Sequence, residues 1–596
     1  MNSKPVERKG TMRRRVLAAA AVSALMAGVL TSVGGTAANA ASSKPQRGGT
    51  LFLLEHNPKL DHIDPNRIYT GRDLDFMNSF VTRTLVAYRP VPGAAGTLLA
   101  PDLATNTGIP SNDAKVWKFI LRPGTTFEDG HAITCADVAY GTSRSFATDL
   151  ITDGPTYALQ WLDIPKDSNG DSIYKGPYKS DPVGQAAYDK AVTCSKNNRI
   201  ITFNLNTSVA DFNYFATYGA ISPVQKSKDN GDQYDVRPQS TGPYKILSNT
   251  KQALILVRNS KWKQATDKVR TPYPDRVELR FGLDEQVIDQ LILNNSIPGA
   301  VNFDAPLPSN LTKFFDASTG EPLPSMKGRA LNVSDPYARY YAFNLKKMPC
   351  LEVREALYYS RDAKANLDYA GGPLFAGRYA TGVISPLLAT DFAPTKVAGP
   401  GSADFMPSGN VDKAKALLEQ AKTVCPAEYK HATQDGIVID VRQGKTLQDT
   451  IPINTQAWAR AGIKVSFNII KSGYYPTVMN PAKQSDLSIA GWGADWANAS
   501  TVLPQLFIDN GGFDLSQNTA DPTYPAFALK VATAMRTTNR QDQAKMWKAL
   551  DVAAMKRFWV LPTIFGKTQL VWGSAVGGGF FWVPQGEPAY GKMWVK

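Results

Sequence analysis

Three observations predict an α/β protein with more than one hydrophobic core. Once residues 1–40 are set aside as a leader, 556 residues remain, more than a single core accommodates. Up to about residue 335, turn-rich segments alternate apolar and polar positions as half-buried strands do, at Ile200 to Leu205, Ala253 to Val257 and Val277 to Phe281. Beyond that point helices and strands take turns. Val411, Ala414, Leu417, Leu418 and Ala421 trace one helical face, while Ile437 to Val441, Ile463 to Ile469 and Leu487 to Ala490 read as strands.

The leader is legible from its parts. Arg13-Arg14-Arg15 precedes an apolar stretch from Val16 to Leu30, and small residues follow up to Ala38-Asn39-Ala40. A membrane anchor is the alternative for the same stretch, but Ser23 and Gly28 interrupt it and a cleavage-type site follows. The residues fit the general and the twin-arginine export route alike. No cysteine stands near the cleavage site to carry a lipid, so a soluble periplasmic or released product is expected.

Charge and cysteine usage narrow the class. The whole chain has a formal charge of +14, and six basic residues and one acid precede position 41, which leaves +9. That excess is spread out with no basic run, so a solvated surface is expected and no nucleic-acid partner. All four cysteines, Cys135, Cys194, Cys350 and Cys425, fall in the exported part, where disulfides form. They make no CxxC and no zinc spacing. The four histidines, His56, His62, His131 and His431, are not in ligand spacing either, so neither a metal nor another cofactor is expected. Asp167, Asn169 and Asp171 begin like a calcium loop, but Ser172 replaces its glycine and Tyr178 its closing acid, so an Asn169-Gly170 turn is expected.

The run Trp117 to Val138 is the most specific stretch. Trp117, Phe119 and Leu121 alternate with Lys118, Ile120 and Arg122, Pro123-Gly124 breaks the strand, and Glu128-Asp129-Gly130 turns again. Thr134 with Asp137 three residues on is a capping-box start for a helix. The run resembles the hallmark of the family 5 extracellular solute-binding proteins, the peptide and nickel class that feeds ABC importers. The likeness continues in order through Pro101-Asp102-Leu103-Ala104, Ser240-Thr241-Gly242-Pro243-Tyr244, Asn259 to Trp262, Arg276 to Phe281, Phe343-Asn344, Val353 to Leu357, Arg361-Asp362, Gly462-Ile463 and Gly491-Trp492. One segment departs: after the helix Asp284 to Leu293, relatives carry a Gly-acid-apolar-Asp segment where this chain has Ser296 to Val301.

The resemblance implies a two-lobed periplasmic-binding-protein fold with an extra inserted domain, closing about a hinge. It divides the chain into a signal (1–40), lobe I (41–71), the insert (72–210), lobe I again (211–335), lobe II (336–569) and a return to lobe I (570–596). That assignment pairs Cys135 with Cys194 and Cys350 with Cys425, and each bridge would add roughly 4 kcal/mol on the loop-entropy model. It also implies a monomeric, non-catalytic receptor that binds an oligopeptide or peptide-like ligand in extended form and passes it to an ABC permease with a cytoplasmic ATPase. A non-peptide solute (a peptide-like metabolite, a sugar or a nickel chelate) is the alternative within the family. A secreted hydrolase is the alternative outside it, and no G-x-S-x-G, H-E-x-x-H or C-x-x-C motif supports one.

Ligand residues are expected in Ala490 to Ser500, at the end of a strand. In peptide-binding relatives the aspartate three residues after this tryptophan holds the ligand α-ammonium, which assigns that role to Asp495. A helix cap is the structural alternative. Trp492 and Trp496 flank it as pocket walls or as core. Gly491 and Gly493 would let a ligand backbone approach. Tyr340, Tyr69 and Gly71 match cleft positions of the family, and Tyr474 is a further candidate from the second lobe. An arginine that holds a peptide carboxylate in some relatives is replaced here by Ile489, with Lys483 or Lys471 as substitutes.

Overall fold

The computed structural model describes residues 44–596 except 180, 510 and 538, so the leader at 1–40 lies outside the described residues. Three sheets organise the chain. The first contains, in spatial order, Ala300–Asn302, Thr50–Leu54, Arg276–Arg280, Ala253–Arg258 and Tyr244–Asn249. Its inner strand Thr50–Leu54 runs parallel to both neighbours and buries Leu51, Leu53 and Leu54 completely. The helix Glu285–Leu293 covers one face through Ile288 and Ile292. Asp284 starts it by accepting hydrogen bonds from the amides of Gln286 and Val287.

The tryptophan run forms the insert. Val116–Ile120 is a central strand of an antiparallel four-stranded sheet, with Trp117 opposite Phe203 and Phe119 opposite Ile201. Trp117 and Phe119 are buried and Lys118 and Ile120 exposed, as the alternation requires. Helix Cys135–Arg144 follows, its start held by the Thr134 amide donating to the Asp137 carboxylate at 2.8 Å. The Cys135–Cys194 disulfide, Cα atoms 5.7 Å apart, ties that helix to the edge strand Val192–Cys194. Asn169-Gly170 forms a turn closed by Asp167 and Asp171, with Gly170 at φ +85°.

The second lobe is a mixed six-stranded sheet ordered Gly377–Tyr379, Val560–Val571, Ala330–Phe343, Leu487–Gly493, Ile437–Arg442 and Val465–Ile470. Helix Val411–Val424 buries Ala414, Leu417, Leu418 and Ala421 against it. A disulfide joins Cys350, just before helix Leu351–Ser360, to Cys425 at the end of Val411–Val424.

Ala330–Phe343 and Val560–Val571 pair along most of their length and pass from one core to the other. Ala330 and Val571 pack with Leu54 and Ile288, whereas Tyr341 and Leu561 pack with the second-lobe helices. The divisions read at 335/336 and 569/570 therefore fall inside two continuous strands rather than in linkers. The pairing register shifts between Ser334 and Ala338, beside the first of these divisions.

Candidate ligand-binding site

A cavity of about 600 Å³ lies between the lobes. Leu487–Gly493 forms part of its wall because it is an inner strand whose end faces the first lobe. Gly491 and Gly493 stand opposite Arg339 and Tyr337. A Cβ would sit 3.4 Å from Arg339 Cγ at Gly491 and 3.1 Å from the Tyr337 ring at Gly493. Glycine at both positions lets these long side chains lie across the strand. Gly71 does the same from the other lobe, since a Cβ there would lie 2.6 Å from the Tyr337 hydroxyl.

Asp495 follows that strand on the cavity wall. Its Oδ2 accepts hydrogen bonds from the hydroxyls of Tyr69, at 3.0 Å, and Tyr157, and its Oδ1 accepts one from Tyr218 at 2.9 Å. Tyr88 donates to its backbone carbonyl at 3.2 Å, and its own amide donates to Thr501 Oγ1 at 3.0 Å. No Lys, Arg or His among the described residues lies within ion-pair distance of the carboxylate. Burial raises its pKa to about 6, against the opposing pull of the three phenols. The phenols are themselves pushed well above their usual value by burial and by this carboxylate, so they remain neutral donors. Asp495 does not cap the helical turn that follows. Asn498 does, accepting from the Ser500 amide at 3.0 Å.

The loop that carries Tyr69 is held by a buried ionic network. Arg144 binds Asp64 at 2.7 Å and Asp229 at 3.0 Å. His62 bridges Asp235 at 2.7 Å and Asp153 at 3.3 Å, which raises its pKa to about 9 against the cost of its own burial. Trp492 lies beneath Tyr69, ring centroids 5.5 Å apart and edge to face, and its indole N–H donates to the Thr501 carbonyl at 2.7 Å.

Six of the residues singled out from sequence line the cavity: Asp495, Trp492, Gly491, Gly493, Tyr69 and Gly71. Three do not. Tyr340 points into the second-lobe core because alternation along Ala330–Phe343 sends Tyr337, Arg339 and Tyr341 to the cavity and Tyr340 to the opposite face. Tyr474 is buried and donates to the Ile489 carbonyl at 2.6 Å, so it braces the wall while its neighbour Tyr475 lines it. Trp496 crosses to the first lobe, where it packs against Tyr157, Trp161 and Tyr214 and donates to the Asp211 carboxylate.

The basic residues of the second-lobe wall are Arg339, Arg361, Arg442 and Lys567, and neither Lys483 nor Lys471 is among them. From the departing segment, Ala300–Asn302 remains a strand, and Asp304, directly after it, lines the cavity. Glu55, His56 and Asp304 converge closely enough to suggest metal ligands. Arg72 fills that role electrostatically, at 2.8 Å from Glu55 and 3.4 Å from Asp304. Sequence reasoning missed Tyr157, Tyr218, Arg361 and Arg442. Only Tyr341 and Arg339 had a signal, the phase of the alternating strand.

Two lobes joined by paired strands around a polar and aromatic cavity define a solute-binding protein, a class that captures a ligand without transforming it. The chain belongs to the bacterial extracellular solute-binding proteins, family 5, whose middle region matches residues 99–514. It is 22% identical over 565 residues to the periplasmic oligopeptide-binding protein OppA of Salmonella typhimurium, covering 91% of this chain and 93% of that one. It is 23% identical over 484 residues to the glutathione-binding protein GsiB of Pectobacterium atrosepticum, covering 77% and 78%. Among solved structures, the clavulanic acid biosynthesis oligopeptide binding protein 2 superposes with a TM-score of 0.72 at 26% identity, over 92% of this chain and 96% of that one. Haemophilus influenzae OppA in complex with RPPGFSPFR has the same TM-score of 0.72 at 15% identity, over 93% and 100%, a likeness of fold alone. These relatives are binding proteins, and this chain is a binding protein rather than an enzyme. No helix among the described residues is long and apolar enough to cross a membrane.

Proposed function

We propose that this chain is the extracytoplasmic capture subunit of an ABC importer, and that it binds peptides or peptide-like molecules by their free α-ammonium at Asp495. One observation carries the reading: a carboxylate on the cavity wall is held by three neutral phenol donors and has no cationic partner. Such a group is poorly compensated in the protein alone, and a ligand ammonium supplies the missing positive charge where water is excluded. The oligopeptide- and glutathione-binding relatives are named for ligands that present an amine of this kind. Native mass spectrometry of the purified chain should reveal co-purified peptides. Calorimetry with a free and an N-acetylated peptide then tests the contact. Equal affinity for the two peptides would show that the amine is not what Asp495 recognises.

A further inference from the structure

The C-terminal segment brings to the cavity a carboxylate that no sequence motif marks. Phe581–Trp582 pairs with Glu587–Pro588, and this hairpin presents Pro584, Gln585 and Glu587 to the cavity. It is firmly seated. The Trp582 indole N–H donates to the Arg89 carbonyl at 2.9 Å, its ring packs with Tyr88 and Ala589, and the amides of Gln585 and Gly586 donate to the Trp582 carbonyl at 3.1 and 3.0 Å.

Glu587 is part-exposed, and its carboxylate makes no hydrogen bond or ion pair with any of the described residues. Arg72, the cation that acts on it most strongly, is committed elsewhere. Its guanidinium lies 2.8 Å from Glu55, 3.4 Å from Asp73 and 3.4 Å from Asp304, and over the Phe303 ring at 4.7 Å from the centroid. On the opposite wall Arg339 is paired with Asp335 at 2.6 Å, and Arg442 lies over the Tyr475 ring at 5.6 Å. Glu55, Asp73, Asp304 and Glu587 therefore face Arg72 and His56, an excess of acid even with the imidazole protonated. In the buried layer next to Glu587, the Tyr590 hydroxyl and Asp75 Oδ2 have no hydrogen bond, and Glu587 is the charge that acts most on Tyr590. Burial pushes the Glu587 carboxyl well above the ordinary carboxylate value against the pull of Arg72, and the charges of Asp75, Asp304 and Asp73 add to the rise.

Tyr337 stands alongside. A Cβ would lie 3.4 Å from its ring at Gly586, where φ is +71°, and 2.6 Å from its hydroxyl at Gly71, so both glycines make room for it. Glu587 is also the charge that acts most on Tyr337. An aromatic face beside an uncompensated carboxylate suits a guanidinium, which stacks on the ring and gives two N–H groups to the two oxygens. A lysine ammonium matches the charge without the planar fit.

We infer that Glu587 and Tyr337 form a subsite for a basic side chain of the ligand, arginine before lysine, so that the cavity selects peptides carrying such a residue. This rests on the reading of the cavity as a peptide site but not on Asp495 itself.

The test is calorimetry on the purified full chain with Arg-Ala-Ala, Ala-Arg-Ala and Ala-Ala-Arg, each against the same peptide with citrulline, which keeps the shape of arginine without its charge. The wild type should favour arginine over citrulline by about 10- to 100-fold at one position, with lysine in between. Glu587→Gln should abolish this ratio and Glu587→Asp should keep part of it. A merely structural loss would weaken both members of a pair together and leave the ratio as it was. Equal affinity of the wild type for arginine and citrulline at all three positions overturns the proposal, and so does an undiminished ratio in Glu587→Gln. If no tripeptide binds, the peptide reading fails and agmatine decides the subsite. Agmatine sulfate should then raise the melting temperature of Asp495→Asn above that in sodium sulfate of equal ionic strength, and adding Glu587→Gln should remove the difference. An agmatine effect that is absent, or equal in the single and double variants, overturns the subsite as well.

Discussion

At the scale of the residue, the Asp495 carboxylate faces the cavity without a cationic partner, and its charge is costly in the unliganded protein. Asp495 has a pKa of about 6, above the ordinary carboxylate value, because burial disfavours its ionised form. The folded state thus holds a proton that the unfolded state releases. The stability this contributes is complete below about pH 4 and is lost as pH rises through 6. Asp495→Asn should therefore melt no lower than the wild type at pH 7, and the gap between them should close as pH falls toward 4, as read by thermal melts across pH. Ligand binding has the opposite sign, since the ammonium needs the ionised carboxylate. Affinity for a free-amine peptide should fall about tenfold per pH unit below 6, with Tyr69, Tyr157, Tyr218 and Tyr88 facing Asp495 as neutral groups throughout. At pH 7 the substitution should weaken that peptide by about 2 to 4 kcal/mol and an acetylated one hardly at all. Calorimetry on both proteins reads this difference, and a matching loss with the acetylated peptide would assign Asp495 a purely structural role.

At the scale of the element, the decisive parts are a strand end, a first-lobe loop and the aromatic latch between them. His62 fastens the loop that carries Tyr69 by joining Asp235 and Asp153. Its pKa of about 9 means that its contribution is complete below about pH 6.5 and is lost as pH rises through 9. His62→Gln should lower stability at neutral pH by up to about 3 kcal/mol, and wild type and variant should converge above pH 9. Denaturant melts at pH 7 and pH 10 measure this. Trp496 belongs to the second lobe by sequence, but its ring lies among Tyr157 and Trp161 of the insert and Tyr214 of the first lobe. Removing it should weaken the closed state more than either lobe. Trp496→Ala should reduce ligand affinity by about tenfold or more while the residue itself stays out of the cavity lining. Unchanged affinity would mean that this contact does not contribute to closure.

At the scale of the whole molecule, the lobes meet on several sides of the cavity. Besides the Asp495 and Trp496 contacts, the Lys445 amide donates to Glu285 at 2.6 Å from the other lobe. Ala330–Phe343 and Val560–Val571 link the two cores as one paired ribbon, whose register shifts near Asp335. Ligand should therefore favour a closed arrangement by touching both lobes, and small-angle scattering should show a smaller radius of gyration with a bound peptide. An unchanged radius at saturation would argue against a hinge.

Much of this architecture was written in local pattern. Trp117 and Phe119 alternate with exposed neighbours, Thr134 with Asp137 starts a helix, and Ala414 to Ala421 repeat at helical spacing; backbone geometry turns each of these into an element without help from distant residues. The Asp495 position was legible in the same way, as a strand end with a tryptophan and two glycines before it. What surrounds Asp495 was not: Tyr157 meets it across a sequence separation of 338 residues and Tyr218 across 277. Tyr340 illustrates the limit. The strand was evident, but its two faces are chemically alike in Tyr340 and Tyr341, and only the packing of the second-lobe core chose which tyrosine faces the cavity. Arg361 was legible only as part of the Arg361-Asp362 likeness to the family, and its burial beside the cavity depends on the packing of the second lobe. The sequence by itself determined the elements, the family and the carboxylate, which depend on near neighbours. The tertiary structure decided which side chains converge on the cavity and which charges lack partners, because those depend on where two folded lobes bring distant segments together.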